Sequence, residues 1–140
     1  MMILYSERRD LELKNILSLY KANNWQSADR PLELQAALRD SRHVVTAWDG
    51  ANLVGLGNAI SDGHLVVYYP HLLVHPDYHG KGIGKEILRR LQVYYENFHM
   101  QMLVANPGAI PFYESQGFEK AADTQAMWIH HATENAYRAH

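Results

Sequence analysis

The sequence predicts an α+β fold, and three observations carry that expectation. Two Asp-Gly pairs, Asp49-Gly50 and Asp62-Gly63, punctuate a run of β-type segments, as in an antiparallel meander. Apolar residues outside that run recur at helical spacing, as at Leu13, Ile16, Leu17 and Tyr20. Between the two patterns, an apolar run ending at Val74 passes through His75-Pro76-Asp77-Tyr78 into a loop with glycines at Gly80, Gly82 and Gly84, and a strongly periodic helix begins at once.

Taken in order, Met2 to Ser6 is expected to be a short strand, and Leu13 to Tyr20 one face of a first helix. Pro31 suits the first turn of a second helix, with Leu34, Ala37 and Leu38 as its apolar side. Val44 to Trp48, Leu53 to Ile60 and Leu65 to Val74 are the strands of the meander, the last of them long. After the glycine loop, Ile83, Ile87, Leu88, Leu91, Tyr94 or Tyr95, and Phe98 form a helical stripe, with Lys85, Glu86, Arg89 and Arg90 mostly off it. Met102 to Ala105 is expected as a short buried strand, and Ala109 to Gln116 as a helix with Gly117 at its C-cap. Phe118 to Ala121 and Gln125 to His130 would close the sheet as a hairpin. The tail from His131 to His140 is polar and predicts no element.

A chain of 140 residues suits a single domain, residues 1–140. At that size about 68–70% of the unfolded surface can be buried, enough for a real core. The net charge of -2 argues against a nucleic-acid binder, which usually carries a basic face. The absence of cysteine excludes disulfides, thiolate metal sites and a cysteine nucleophile. No apolar run reaches the roughly 18 residues of a membrane span. The start of the chain lacks the charged and apolar regions of a signal peptide, so a cytoplasmic location is the default expectation.

The glycine loop is a device for binding phosphate. Without a Cβ, the backbone can turn sharply and approach a ligand closely. The free N–H groups of the first helical turn then point at the anion, helped by the helix dipole. Two familiar phosphate loops fail. The Walker loop needs G-x-x-x-x-G-K-[ST], whereas Glu86 stands where its hydroxyl would be. The dinucleotide fingerprint needs G-x-G-x-x-G, and the spacing here is G-x-G-x-G.

His79 to Gly84 resembles instead the [QR]-x-x-G-x-[GA] loop of the GNAT N-acetyltransferase superfamily, and Leu72 to Tyr78 resembles the strand and turn that lead into it. Downstream, Asn106-Pro107-Gly108-Ala109-Ile110-Pro111-Phe112-Tyr113-Glu114-Ser115-Gln116-Gly117-Phe118 is similar to the family's N-x-x-A-x-x-F-Y-x-x-x-G-F segment. The likeness in layout covers nearly the whole chain. It implies the GNAT fold: a mixed, mostly antiparallel central sheet flanked by helices, opening near its middle to admit acetyl-coenzyme A as cosubstrate. One departure is plain, since His79 stands where the family usually has Gln or Arg. An imidazole can still donate a hydrogen bond, or carry charge below its pKa.

The resemblance implies a role for each matched residue. Gly80, Lys81, Gly82, Ile83, Gly84 and Lys85 would cradle the pyrophosphate, with backbone groups of Leu72 and Val74 aligning the pantetheine arm. Tyr113 would be the general acid for the coenzyme A thiolate. A phenol is a neutral donor at pH 7, with an ordinary pKa of about 10. Asn106 would contact the cofactor, or cap the following turn, or both. The stretch Tyr68-Tyr69-Pro70-His71 holds no carboxylate to act as base. His71 is the nearest group of suitable pKa, and a structural role for it stands equally open. Tyr68 could guide a water. Tyr20 and Trp25, in the region that usually lines the acceptor site, either flank an amine or fasten the helices to the sheet.

No metal site is expected. His71, His75 and His79 share a spacing of four, but Pro76 and the apolar run forbid the helix that would align them. The partner implied is a small-molecule or peptide amine, with no nucleic acid and no membrane; analogy with relatives leaves a homodimer open. A non-catalytic acyl-coenzyme A sensor on the same fold is the alternative, and a nucleotide-binding module a third reading.

Overall fold

The computed structural model describes residues 2–131, so most of the polar tail considered above lies outside the described residues. The elements run β1 (Leu4–Ser6), α1 (Leu13–Ala22), a 3₁₀ turn (Gln26–Asp29), α2 (Pro31–Asp40), β2 (His43–Asp49), β3 (Asn52–Ser61), β4 (Val66–Tyr68) and β5 (Leu72–Val74). A 3₁₀ turn (Pro76–Tyr78), α3 (Ile83–Gln92), β6 (Met100–Met102), a further 3₁₀ turn (Pro107–Ala109) and α4 (Ile110–Ser115) follow. The strands lie in the order β1-β2-β3-β4-β6, with β5 also on β3. All pairs are antiparallel except β4 with β6, which α3 joins as a crossover. The sheet is therefore mixed and mostly antiparallel, with helices on both faces.

One face carries α1 and α2, whose Ile16, Leu19, Leu34 and Leu38 pack on Val44, Leu56 and Leu73. The other carries α3, with Ile83, Ile87 and Leu91 against Val45, Val54 and Val67. That contact depends on two glycines of β3. A Cβ on Gly57 would lie 2.7 Å from Ile87 Cγ2, and one on Gly55 would lie 2.9 Å from Ile87 Cδ1. Strand alternation puts both glycines on the α3 side, so the helix can lie directly on the backbone.

The single strand expected over Leu65 to Val74 is in fact two. Ile60 pairs with Tyr68, and Asn58 N–H bonds the carbonyl of His71 at 3.1 Å. One β3 residue, Ala59, thus opposes two, Tyr69 and Pro70, which is a β-bulge. Pro70 has no N–H to give a ladder and belongs at such a site. The bulge leaves the His71 N–H without a ladder acceptor, and the buried Asn58 side chain supplies one: Oδ1 accepts at 3.0 Å. Asn58 Nδ2 in turn bonds Ser41 Oγ at 3.1 Å.

Other expectations shift. The first strand begins at Leu4 rather than Met2, and α3 ends at Gln92, although Tyr95 and Phe98 still pack on the same core. The strand expected at Met102 to Ala105 lies at Met100–Met102, and its outer side is exposed rather than buried. The closing hairpin is absent. Phe118 is held edge-on by Tyr113 and Tyr69, with ring centroids 5.9 and 6.4 Å away. The chain then turns at Ala121 to Thr124, with Ala122 in the left-handed region (φ +52°). Gln125 to His130 leaves that turn without pairing to any strand. Among the described residues, no helix is long and apolar enough to cross a membrane.

Candidate active site

A cleft of about 730 Å³ opens between β5, the glycine loop, the start of α3 and α4. The bulge creates its first wall. His71 and His75 spend backbone groups on β3, through Asn58 N–H to His71 O and His75 N–H to Val54 O at 2.8 Å. Antiparallel alternation then turns the N–H and C=O of Leu72 and Val74 to the opposite edge. No strand covers that edge among the described residues, because β6 pairs with β4 only, and the cleft lies along it.

The loop forms the second wall. Gly80 and Gly82 have φ of +77° and +80°, a region where L side chains are strained. Gly82 is the N-cap of α3, and a Cβ at either glycine would meet nothing within 4 Å, so the space before the loop is open. Gly84 differs: its φ is ordinary, and a Cβ there would touch Val74 Cγ2 at 3.7 Å and Phe112 Cζ at 3.8 Å. The first-turn N–H groups of α3 have no acceptor within the helix, and Gly82, Ile83, Gly84 and Lys85 line the cleft. Lys85 borders this cleft, whereas Lys81 is exposed and does not line it. Glu86, also in the first turn, is turned away and held by Arg89 at 2.7 Å and Arg90 at 3.2 Å. Those bonds, Arg89's first, pull its carboxyl down to about 2 against some opposing burial.

His79 lies at the cleft as expected, and its Nε2 donates to Val74 O at 2.8 Å. The imidazole thus ties the loop to the free edge of β5. Tyr113 lines the cleft from α4, half-buried between Phe112 and Phe118. Its hydroxyl makes no hydrogen bond to the described residues, and burial raises its pKa above the ordinary tyrosine value. It therefore stays protonated across neutral pH, on a residue that lines the cleft.

On the opposite face of β5 the bulge has a second effect. It places His71 on the α1 side, where Tyr20 and Trp25 meet it. Tyr20 Oη lies 2.7 Å from His71 Nδ1, and the three rings pack edge to face with centroids 5.1 to 5.6 Å apart. Tyr20 is fully buried, which pushes its pKa far up and keeps it a neutral phenol. The pair Tyr20 and Trp25 and the separately chosen His71 thus form one cluster. Tyr68 does not join them: it lies on the same face of the sheet but out on β4, where it is exposed. Asn106 sits at the start of the Pro107–Ala109 turn, makes no side-chain cap bond and does not line the cleft.

Sequence reasoning missed Asn58, which holds the bulge, and Tyr78, Phe112, Ser115 and Gln116, which line the cleft. Tyr78 Oη donates to Asp49 Oδ2 at 2.5 Å and anchors the turn before the loop to the β2–β3 hairpin. A helical wheel of residues 109–116 points to the α4 residues; nothing local points to Asn58.

A sheet opened by a bulge, a left-handed glycine turn at a helix N-terminus and a phenol across the cleft define an acyltransferase-type architecture. The chain belongs to the acetyltransferase (GNAT) family, which it matches over residues 11–118. It is 30% identical over 135 residues to a protein of Prochlorococcus marinus named as an uncharacterized N-acetyltransferase, ycf52-like, covering 89% of this chain and 73% of that one. Among solved structures, a GNAT-family acetyltransferase of Streptococcus pneumoniae superposes with a TM-score of 0.79 at 29% identity, over 92% of this chain and 98% of the other. AAC(6')-Iy, solved with a bisubstrate analogue built on CoA, shares the fold at a TM-score of 0.71 and 15% identity, over 95% of this chain and the whole of that one.

Proposed function

We propose that the protein is an acetyl-coenzyme A-dependent N-acetyltransferase that moves the acetyl group directly to a primary amine of a small molecule or peptide in a ternary complex. The observation that carries this reading is that one cleft holds three parts together: the strand-free edge of β5 at Leu72 and Val74, where only the Val74 carbonyl is taken, by His79, the Gly80–Gly84 loop, and Tyr113. Its volume of about 730 Å³ suits a ligand of cofactor size. Gly80 to Lys85 would receive the pyrophosphate on backbone N–H groups. The β5 edge would pair with the amides of the pantetheine arm and bring the thioester to the bulge.

The chemistry needs few groups. The amine must be neutral, so a proton must leave it, and His71 is the base nearest the bulge, acting directly or through water. The amine nitrogen attacks the thioester carbonyl carbon, a backbone N–H of the β5 edge stabilises the oxyanion, and the C–S bond breaks. Tyr113 gives its proton to the departing sulfur and regains one from solvent. With no cysteine in the chain, no cysteine acyl-enzyme relay is available.

Two measurements test this. Acetyl-coenzyme A should raise the melting temperature, by about 2.7 kcal/mol of added stability at a hundredfold excess over Kd, while ATP and NAD leave it unchanged. A larger shift with either nucleotide would favour the nucleotide-module reading. Coenzyme A release should then appear with some member of a screen of small primary amines, aryl-alkyl amines and polyamines. Tight cofactor binding with no acceptor in a broad screen would transfer the assignment to a sensor.

A further inference from the structure

Among the described residues the Tyr113 hydroxyl makes no hydrogen bond, so packing alone holds the phenol in place. Two rings do this. Phe112 is its neighbour on α4, with centroids 5.1 Å apart. The other is Phe118, which the end of α4 brings back onto it. Gly117 takes the left-handed backbone (φ +97°), its N–H bonds Glu114 O at 3.1 Å, and Phe118 N–H bonds Tyr113 O at 3.1 Å. Those two bonds define the helix ending in which the residue after the left-handed position packs on the residue five before it. Phe118 accordingly meets Tyr113 edge to face, with 79° between the ring planes.

Phe118 is not itself held by a strand, since the chain after α4 joins no sheet among the described residues. Its other wall is Tyr69, also edge to face, at 82° and 6.4 Å. Tyr69 is fixed from several directions. It is 5% exposed, and its N–H bonds Met102 O at 2.9 Å. Its hydroxyl donates to Gln101 Oε1 at 2.8 Å, and the same oxygen accepts from Gln92 Nε2 at the end of α3, at 3.2 Å. Burial raises the Tyr69 pKa, so that donor persists at neutral pH. Tyr69 is also one of the two residues of the β-bulge. Val67 and Tyr69 pack on the α3 side, and the extra residue puts Leu72 there next, leaving His71 to the α1 side. Neither Tyr69 nor Phe118 lines the cleft.

We propose that Tyr69 is a positioning residue for Tyr113, acting through the Phe118 ring, so that the bulge that opens the sheet also sets where the phenol stands. This rests on the reading of Tyr113 as the proton donor. A rigid, hydrogen-bonded ring on the sheet holds a ring on an unpaired segment, and that ring holds the one side chain of the cleft whose polar atom has no partner to orient it. A misplacement of about 1 Å is enough to cost about a hundredfold in rate.

The first test is the rate of the chemical step with an accepted amine, measured before the steady state. Tyr69→Leu should lower it by about ten- to a hundredfold. Acetyl-coenzyme A affinity should not change, because Tyr69 does not line the cleft. Tyr69→Phe keeps the edge against Phe118 and should recover most of the loss. In a Tyr113→Phe background, Tyr69→Leu should change the rate by no more than about twofold, since the positioned hydroxyl is gone. Phe118→Leu, at a half-buried site, should show the same dependence on Tyr113, which keeps the idea open to refutation if Tyr69→Leu does not fold. The second test needs no acceptor, so it still decides the packing if the protein acetylates nothing and the catalytic reading fails. With tyrosines isotope-labelled at Cζ, the Tyr113 resonance is the one lost in Tyr113→Phe. It should move in Phe118→Leu and in Tyr69→Leu, and Tyr69→Leu should move it no further once Phe118 is replaced. A Tyr113 resonance that stays in place in Tyr69→Leu overturns the proposal. So does a Tyr69→Leu rate loss that is equally large without the Tyr113 hydroxyl.

Discussion

On one side of β5, the backbone edge of Leu72 and Val74 looks toward a glycine loop and a helix N-terminus. On the other, His71 and Leu73 look toward α1. The first side is made of main-chain groups set by residues within about a dozen positions of one another. The second is made of side chains, and its key bond joins Tyr20 to His71 across 51 positions. Only the bulge at Tyr69 and Pro70 connects them, by freeing an edge on one side and turning an imidazole to the other. On the proposed function, the cofactor side can thus be held constant by a short motif, while the acceptor side is assembled by tertiary packing and can vary with it.

The largest effect should come from removing the proposed proton donor, Tyr113. Tyr113→Phe keeps the ring between Phe112 and Phe118 and removes only the hydroxyl. Turnover should fall by about 10²–10⁴-fold if thiolate protonation limits the rate, with cofactor affinity unchanged. The raised pKa of Tyr113 fixes the pH behaviour. The group is protonated below its ordinary value of about 10 and remains so beyond it. The wild type should therefore show no falling limb from this residue between pH 7 and 10. A full chemical-step rate in the variant, measured before the steady state, would remove Tyr113 from the role.

Next in size is the loop. Gly82→Val places a branched side chain at φ +80°, and left-handed backbone costs an L residue about 1–2 kcal/mol. If the loop relieves that strain by leaving the binding conformation, acetyl-coenzyme A should bind about five- to thirtyfold more weakly, since 1.4 kcal/mol is one decade. Gly84→Ala, where φ is ordinary and the new methyl makes only normal contacts, should bind within about threefold of wild type. Equal losses from both, read by calorimetry, would mean that open space rather than backbone conformation is what the loop supplies.

On the acceptor side the effects should be smaller and should separate from cofactor binding. Tyr20→Phe preserves the buried ring and deletes its bond to His71 Nδ1. A hydrogen bond of net worth about 0.5–1.5 kcal/mol implies a fall in kcat of about two- to tenfold, with cofactor Kd unchanged. In a His71→Gln background the same change should add nothing, because positioning acts through the imidazole. An undiminished Tyr20 effect in that background would assign Tyr20 to packing alone.

This division explains what the sequence disclosed. The loop, the strand before it and the Tyr113 segment were readable because each is a local pattern with a local cause. The face of His71 was not readable, because alternation along Leu65 to Val74 gives one answer and a one-residue bulge gives the other. Pro70 hinted at the break; Asn58, which makes the break tolerable, lies 13 positions from His71 and carries no signal of its own. The expected closing hairpin does not form for a related reason. Gln125 to His130 has a strand's composition, but a strand needs an edge to pair with, and the turn at Ala122 directs the segment away from its own.

The smallest effect concerns Glu86, the acidic residue in the first turn of α3, and it tests whether the cofactor side rests on backbone rather than on charge. Its carboxyl is drawn from an ordinary 4.5 to about 2, first by the bond to Arg89. A depressed folded-state value means stability that is fully present above the unfolded pKa and lost as pH falls from about 4.5 toward 2. The pairs are largely solvent-exposed on the arginine side, so their worth is that of helix-surface pairs, about 0.3–0.5 kcal/mol each. Glu86→Gln should therefore lower urea-unfolding stability by less than about 1 kcal/mol at pH 7 and pH 5, and the gap should narrow by pH 3. Because the carboxylate is turned from the cleft and already compensated, acetyl-coenzyme A affinity should stay within about threefold at moderate salt. A large, salt-sensitive gain in affinity would show that net charge at the N-terminus of α3 governs binding, and the contrast between the two faces of β5 would have to be redrawn around electrostatics.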